Sequence, residues 1–320
     1  LTLSCKKNDK NSILDNQSNL SFDSTLVAPF FKNHTELKKY SADVALLYKK
    51  QHYNYIWYDQ EGTNEVADVL YNKIINLDDE GLPSKIPYRN ELDAIFEGDT
   101  DTQKPNINAE LLISSLYFFY ANKVYKGIDV EKSKELGWYL PRKKMSLVSY
   151  LDSIVVNPSL FNKDEKEVVG EYYRLRESLK KYRNLEKKEN KTPIVLDAGT
   201  QKLIPKDSAQ SIAQIRARLF LLGDLESDSK SPIYDEELVT GVLRYKKRNG
   251  LDYTTTISES NLKHLNVPLA NRIKTIVVNM ERCRWISNTF TNADTFIFIN
   301  IPSYELRYFK DGKTLFESKA

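Results

Sequence analysis

Cysteine and histidine are the side chains here best suited to nucleophilic or metal chemistry, and their spacing argues against both. The chain has two Cys, Cys5 and Cys283, and three His, His34, His52 and His264. Two distant Cys do not make a disulfide framework, and a zinc site needs three or four ligands, which the three His do not supply at ligand spacing. Cys283 follows Met280 by three residues on an apolar helical face with no His nearby, which fits a buried, inert thiol. No catalytic residue, metal site or cofactor is assigned. Each His reads as a surface or half-buried structural residue. The aromatic residues are the other chemistry-bearing set. Tyr (20) outnumbers Phe (13), and polar-tipped rings suit clefts. Tyr234, Tyr245 and Tyr253 are the candidates for ligand contact, with a core position equally open to Tyr245.

These residues sit on a chain that reads as mainly α. From residue 26 to about 190 apolar residues recur at helical spacing. One face carries Leu37, Tyr40, Val44, Leu47 and Tyr48. A second carries Val66, Val69, Leu70, Ile74 and Leu77, closed by Gly81 and Pro83. A third runs from Leu111 to Tyr120 and ends near Gly127; a fourth spans 148–155 and stops at Asn157-Pro158. A fifth is expected over 164–188, with Asn162 and Glu165 placed as a capping pair. Residues 191–209 break the pattern with Pro193, Gly199 and Pro205. A compact three-helix unit is expected over 194–268, its helices capped by Ser208, Asp235 and Ser258. A connecting helix follows over 269–290. From residue 294 to 320 the pattern changes to strands, Phe296–Ile299 and Leu306–Phe309, with Asp311-Gly312 as a hairpin signal.

Composition sets the outer bounds. The length of 320 residues fits about two domains. Forty-seven basic residues against 44 acidic ones leave a net charge of +3, which argues against a dedicated nucleic-acid binder. No run approaches the ~18 apolar residues of a membrane-spanning helix.

Several motifs resemble known families. Leu1-Thr2-Leu3-Ser4-Cys5, followed by a polar, Asn/Ser-rich stretch, resembles the end of a bacterial lipoprotein signal peptide. That resemblance implies that Cys5 is lipidated and that residues 1–25 are a flexible tether to a membrane. Residues 235–251 and Leu262-Lys263-His264-Leu265-Asn266-Val267-Pro268 resemble the second helix and the close of a peptidoglycan-binding-like module. Asn279-Met280-Glu281-Arg282-Cys283-Arg284-Trp285, and then Phe298-Ile299-Asn300-Ile301-Pro302-Ser303-Tyr304-Glu305-Leu306, resemble a helix and a strand of the large murein L,D-transpeptidases of the YcbB/YkuD type. Trp57, Asp78–Pro83 and Leu111–Gly127 resemble patterns in the N-terminal scaffold domain of that family.

The resemblance implies a helical scaffold domain, a small peptidoglycan-binding-like module, and the first β-hairpin of a β-rich catalytic domain cut short before its active site. It implies peptidoglycan, both stem peptides and glycan strands, as partner, a periplasmic location in the cell envelope, and no cofactor. In that family a Cys thiolate attacks a stem peptide, releases D-Ala as a thioester forms, and an acceptor amine resolves it into a 3→3 cross-link. The family's Ser-His-Gly-Cys-x-Arg does not occur in residues 1–320, so this stretch by itself is expected to be inactive. A non-catalytic peptidoglycan-binding lipoprotein is the alternative. Glu281–Trp285 is expected to form a domain-joining helix, its Arg side chains pairing with carboxylates and Trp285 packing between domains.

Overall fold

A computed structural model of the chain describes residues 20–59, 62–98, 104–139, 142–162, 168–287, 293–300 and 304–319. The expectations for Cys5 and for the Asn162–Glu165 capping pair lie outside the described residues. The described chain is mainly α-helical and closes with small antiparallel strands, which is the expected fold class. It divides into two compact units: the stretch up to Arg174 together with Asn279 onward, and Leu175–Val278.

The first unit is organised around the helix Ile107–Ala121. Every residue from Ala109 to Ala121 is buried. A helix apolar on nearly all sides has no solvent face to offer, so its neighbours must cover it all round. Its start is set by Asn106, whose side chain accepts from Ala109 N at 2.8 Å. Asn64, Asp129 and Ser146 cap the helices Glu65–Ile75, Val130–Glu135 and Leu147–Val156 in the same way. The expected Leu37–Tyr48 helix is a 3-10 segment, Thr35–Tyr40, running into the α-helix Ser41–Lys50. Gly81 ends the segment Leu77–Glu80 at φ 68°, as its position after Asp78-Asp79-Glu80 suggests. The central helix widens into a π-turn, Asn122–Lys126, before Gly127 at φ 71°. A π-turn displaces the regular i→i−4 ladder and leaves carbonyls for other donors.

The terminal strands form a three-stranded antiparallel sheet, Thr295–Asn300, Glu305–Lys310 and Lys313–Lys319 in that order. Thr295 pairs with Lys310 and Asn300 with Glu305; Lys310 pairs with Lys313 across the turn. That turn is Asp311-Gly312, both at positive φ (50° and 71°), the backbone a two-residue hairpin loop prefers.

The second unit holds the helices Gln210–Leu222, Glu236–Arg248 and Glu259–Leu265. A two-stranded sheet, Lys202–Leu203 with Ile257–Ser258, ties its two ends together. Ile212, Ile215, Leu219, Leu238, Val242 and Leu262 meet in its core. Asp235 and Ser258 cap their helices as expected. Ser208 does not: residue 209 is the N-cap and lends no side chain. Asp197 supplies the missing acceptor instead, taking Gln210 N and Ser211 N at 3.0 Å each.

Candidate functional site

The Asn279–Trp285 motif docks, within the first unit, onto the π-turn and the loop after it. Arg284 is the centre of the contact, and its side chain is fully buried. Its Nε donates to Val124 O at 3.1 Å, and Nη2 to Glu80 O at 2.5 Å. Nη1 donates to Glu281 Oε2 at 2.8 Å, and Nη2 also reaches Tyr172 Oη at 3.2 Å. The Tyr172 hydroxyl in turn donates to Glu80. The other Glu281 oxygen accepts from Ile128 N and Trp285 Nε1, each at 2.7 Å. The planar guanidinium fork fits this set of carbonyl, carboxylate and hydroxyl acceptors in a way that a point-charge ammonium does not.

Arg142 completes the clasp. It donates to Ile128 O at 2.5 Å and to Lys126 O, and its guanidinium lies 5.5 Å from the Trp285 ring centre. Trp285 also meets Trp138 edge-on at 5.4 Å. Two arginines thus take up carbonyls of the π-turn and of the loop that follows it. Cys283 belongs to the same buried face. Burial pushes its thiol up to about 11, so at neutral pH it is neither a thiolate nor accessible.

The first unit holds a second buried polar group, which helical periodicity alone does not reveal. Glu110 opens the central helix and is fully buried. Its carboxylate accepts from Ile56 N at 2.6 Å, Trp57 N at 3.3 Å and Tyr48 Oη at 2.7 Å. Ser114 Oγ links Tyr48 Oη at 2.6 Å to Trp57 Nε1 at 2.7 Å. Desolvation raises the Glu110 carboxyl to about 7, against the opposing pull of the Ile56 amide. An acid at the head of the run Leu111–Ala121, interrupted only by Ser114 and Ser115, is its signal in the sequence.

The histidines are structural. His34 bridges Phe30 O and Glu91 at 3.0 Å each and stacks on the Phe30 ring, whereas His52 is an exposed turn residue. In the second unit, His264 Nδ1 meets the Tyr245 hydroxyl at 2.6 Å, and burial lowers its pKa.

Of the three tyrosines singled out as ligand contacts, two are buried. Tyr234 is buried and donates to Thr255 O at 2.5 Å. Tyr245 is buried against His264 and under Arg248, whose guanidinium lies 5.1 Å from its ring centre. Both rings are core: Tyr245 from the Glu236–Arg248 helix and Tyr234 from the segment before it belong to the unit's apolar centre, and each hydroxyl has a partner within the unit. Only Tyr253 is exposed, at 66%.

The unit does carry a groove, of about 640 Å³, along one flank of the Gln210–Leu222 helix. Ala213 and Ala217 form its floor, and Lys188, Asn190, Phe220 and Lys230 are among its walls.

A family model described as a scaffold domain matches residues 42–179. The scaffold segment therefore contains the central helix, the π-turn, Glu110 and Tyr172. Trp285 and Arg284 lie outside the match but dock on it. No curated protein matches the chain.

Proposed function

We propose that this chain is the platform portion of a peptidoglycan L,D-transpeptidase of the cell envelope. In this reading the scaffold segment and the second unit precede a thiol-bearing catalytic sheet entered at Thr295. The scaffold-domain match over 42–179 carries the reading. The terminal strands support it. Ile297, Phe298 and Ile299 are consecutive, so they face opposite sides of the sheet, and all three are exposed. Leu315 and Phe316 on the last strand are exposed as well. A three-stranded sheet with apolar residues bare on both faces is suited to be covered by further structure.

The chemistry would belong to that further sheet. Its thiolate would attack the donor stem-peptide carbonyl, expel D-Ala as the amine, and pass the acyl group from the thioester to an acceptor amine. Cys283 takes no part, being buried and protonated at neutral pH. A second reading, a non-catalytic wall-binding lipoprotein, rests on the resemblance of Leu1–Cys5 to a lipoprotein signal and of residues 235–251 to a peptidoglycan-binding-like module. Cys5 is proposed as the lipid attachment point and the stretch after it as a tether that would hold the protein at the periplasmic face of a membrane; the tether expected to reach residue 25 is shorter than that, because Ser21 bridges Asn54 and Phe22 packs edge-on against Tyr48, Tyr53 and Tyr55. Radiolabelled palmitate should enter the wild-type protein and not Cys5→Ala.

Muropeptide analysis of a strain deleted for the gene tests the catalytic reading. Loss of 3→3 cross-links, restored by the full gene and by its Cys283→Ser form, is the expected result. An unchanged muropeptide profile would leave the wall-binding reading.

A further inference from the structure

We infer that the turn over residues 136–139, in the first unit, seats on the headgroup layer of an anionic lipid membrane. This second contact supplements the lipid anchor proposed above. It rests on that reading for a bilayer within reach and not for the acyl group.

The turn closes the helix Val130–Glu135. Gly137, at φ 83°, lets the chain double back, so that Trp138 N donates to Ser133 O at 2.9 Å and Gly137 N to Lys134 O at 2.8 Å. The closure is held from the side of the clasp. Half-buried Trp138 meets Trp285 edge-on at 5.4 Å, Lys143 N donates to Trp285 O at 3.2 Å, and Arg142 reaches Ser133 Oγ at 3.3 Å. With Trp138 committed to the clasp, the residues beside the turn's centre are left outside. Leu136 is 67% exposed, and Tyr139, at 81%, is the barest large hydrophobic side chain among the described residues. A single bare Leu is ordinary on a protein surface. Here an anchored backbone fixes an aliphatic and an aromatic side chain bare on one turn.

Charge selects the occupant. Residues 126–144 hold six basic and three acidic side chains, an excess equal to the net +3 of the whole chain, so the remaining residues balance one another. Lys132, Lys134 and Lys144 are exposed. Lys134 pairs with Glu131 at 3.0 Å, but both are in solvent, where such a pair contributes little. A tyrosine suits the headgroup level, with its ring at the acyl boundary and its hydroxyl in water, and a leucine adds apolar area beside it. Flanking lysines lay their apolar stems along the tip and put ammonium groups among lipid phosphates. A partner protein is the poorer fit. A specific interface covers about 800 Å² on each side around a centre depleted of lysine, and two side chains flanked by lysines supply little of that.

The test is flotation of the Cys5→Ser chain, which carries no acyl group, with vesicles of phosphatidylcholine alone or in equal parts with phosphatidylglycerol. The mixed vesicles should carry the protein upward and the neutral ones far less, the difference shrinking as salt rises. Leu136→Ser with Tyr139→Ser should weaken binding at least about tenfold. Lys132→Gln with Lys144→Gln should weaken it about as much and flatten its salt dependence. Tyr253→Ser, at a comparably bare tyrosine of the second unit, should bind as the unchanged chain does. Circular dichroism and thermal midpoint should hold in every variant, because each of these side chains is exposed. Tyr139→Trp reads the contact without removing it: brominated lipid should quench this variant more than the unchanged chain. Binding that survives the turn changes, or no added quenching in Tyr139→Trp, would overturn the site. Equal binding to both vesicles would overturn the lipid class. Flotation with neither would overturn the proposal outright, as would turn changes that abolish self-association in sedimentation velocity and leave flotation alone. The palmitate label judges the Cys5 anchor separately from each of these results.

Discussion

Gly127 and Glu281 approach so closely that a Cβ on residue 127 would stand 2.2 Å from Glu281 Oε1 and 3.1 Å from Trp285 Nε1. That carboxylate oxygen is the one that accepts from Ile128 N and Trp285 Nε1. Any side chain at 127 must displace it, and would do so from a backbone at φ 71°. Gly127→Ala should therefore cost about 3 kcal/mol or more, adding left-handed strain to a broken buried network. Gly223→Ala is the control. That glycine caps its helix at φ 82° with nothing within 4 Å of a Cβ, so strain alone, about 1 kcal/mol, should be lost. Urea unfolding of both variants measures the difference. Equal losses would show that the contact with Glu281 contributes nothing.

Arg284 should tolerate no substitute. Its guanidinium serves Val124 O, Glu80 O, Glu281 and Tyr172 Oη at once. Arg284→Lys keeps the charge but cannot span these acceptors, and should lose about 3 kcal/mol. Arg284→Met leaves Glu281 without its cation and should lose at least as much. Adding Glu281→Gln to Arg284→Met should recover part of that loss, because the carboxylate left unpaired is then gone. A double-mutant cycle in urea reads this directly. Additive losses would mean that the two residues are not coupled.

The features legible in the sequence were those fixed by neighbours along the chain. Asp235 as a cap, Gly81 as a helix end, and Asp311-Gly312 as a hairpin turn each follow from local backbone demands, and the structure has them. Ser208 failed as a cap because an equivalent acceptor, Asp197, arrives from a separate loop, and no local rule anticipates that. The short helix Arg89–Glu97 went unread because few apolar residues mark it; only Leu92 and Ile95 are buried. The hydroxyl of Tyr234 suggested a wet surface, while Tyr245 read equally as contact or core. Their actual partners, Thr255 O and His264, lie 21 and 19 residues away. The groove was invisible for the same reason: two alanines define a hollow only once the segment carrying Lys188 and Asn190 has folded beside them.

Cys283 should be chemically silent in the folded protein. Burial is the main cause of its raised thiol pKa of about 11, with Glu171 adding to it and Arg284 opposing. Working with Cys5→Ser, so that one thiol remains, an aromatic disulfide reagent at pH 8 should react in seconds in guanidinium. In buffer it should react at least about a hundredfold more slowly, limited by the thiolate fraction and by opening of the clasp. Cys283→Ala should keep the fold with a modest loss of about 1 kcal/mol. Fast labelling in buffer would show that the face carrying Cys283 opens readily.

Glu110 should make the scaffold segment more stable in mild acid than at neutral pH. Its carboxyl moves from 4.5 to about 7 on folding, mainly through desolvation. Between those two values the folded state holds a proton that the unfolded state has released. Stability from this group is therefore fully present below pH ~4.5 and is lost as pH rises through ~7. A shift of that size corresponds to roughly 3 kcal/mol across the window. Tyr48, Tyr55 and Tyr58 feel the same carboxylate, and their pKa values are all raised, so they stay neutral throughout. Glu110→Gln removes the titration. Its single oxygen can still accept from Ile56 N and Tyr48 Oη, while its amide faces Trp57 N–H as a second donor, a local cost of about 1–2 kcal/mol. The variant should then be less stable than the wild type at pH 5, with the gap narrowing or reversing at pH 8. Thermal melts of both proteins from pH 5 to 8 measure this, and parallel curves would mean that Glu110 does not titrate in that range.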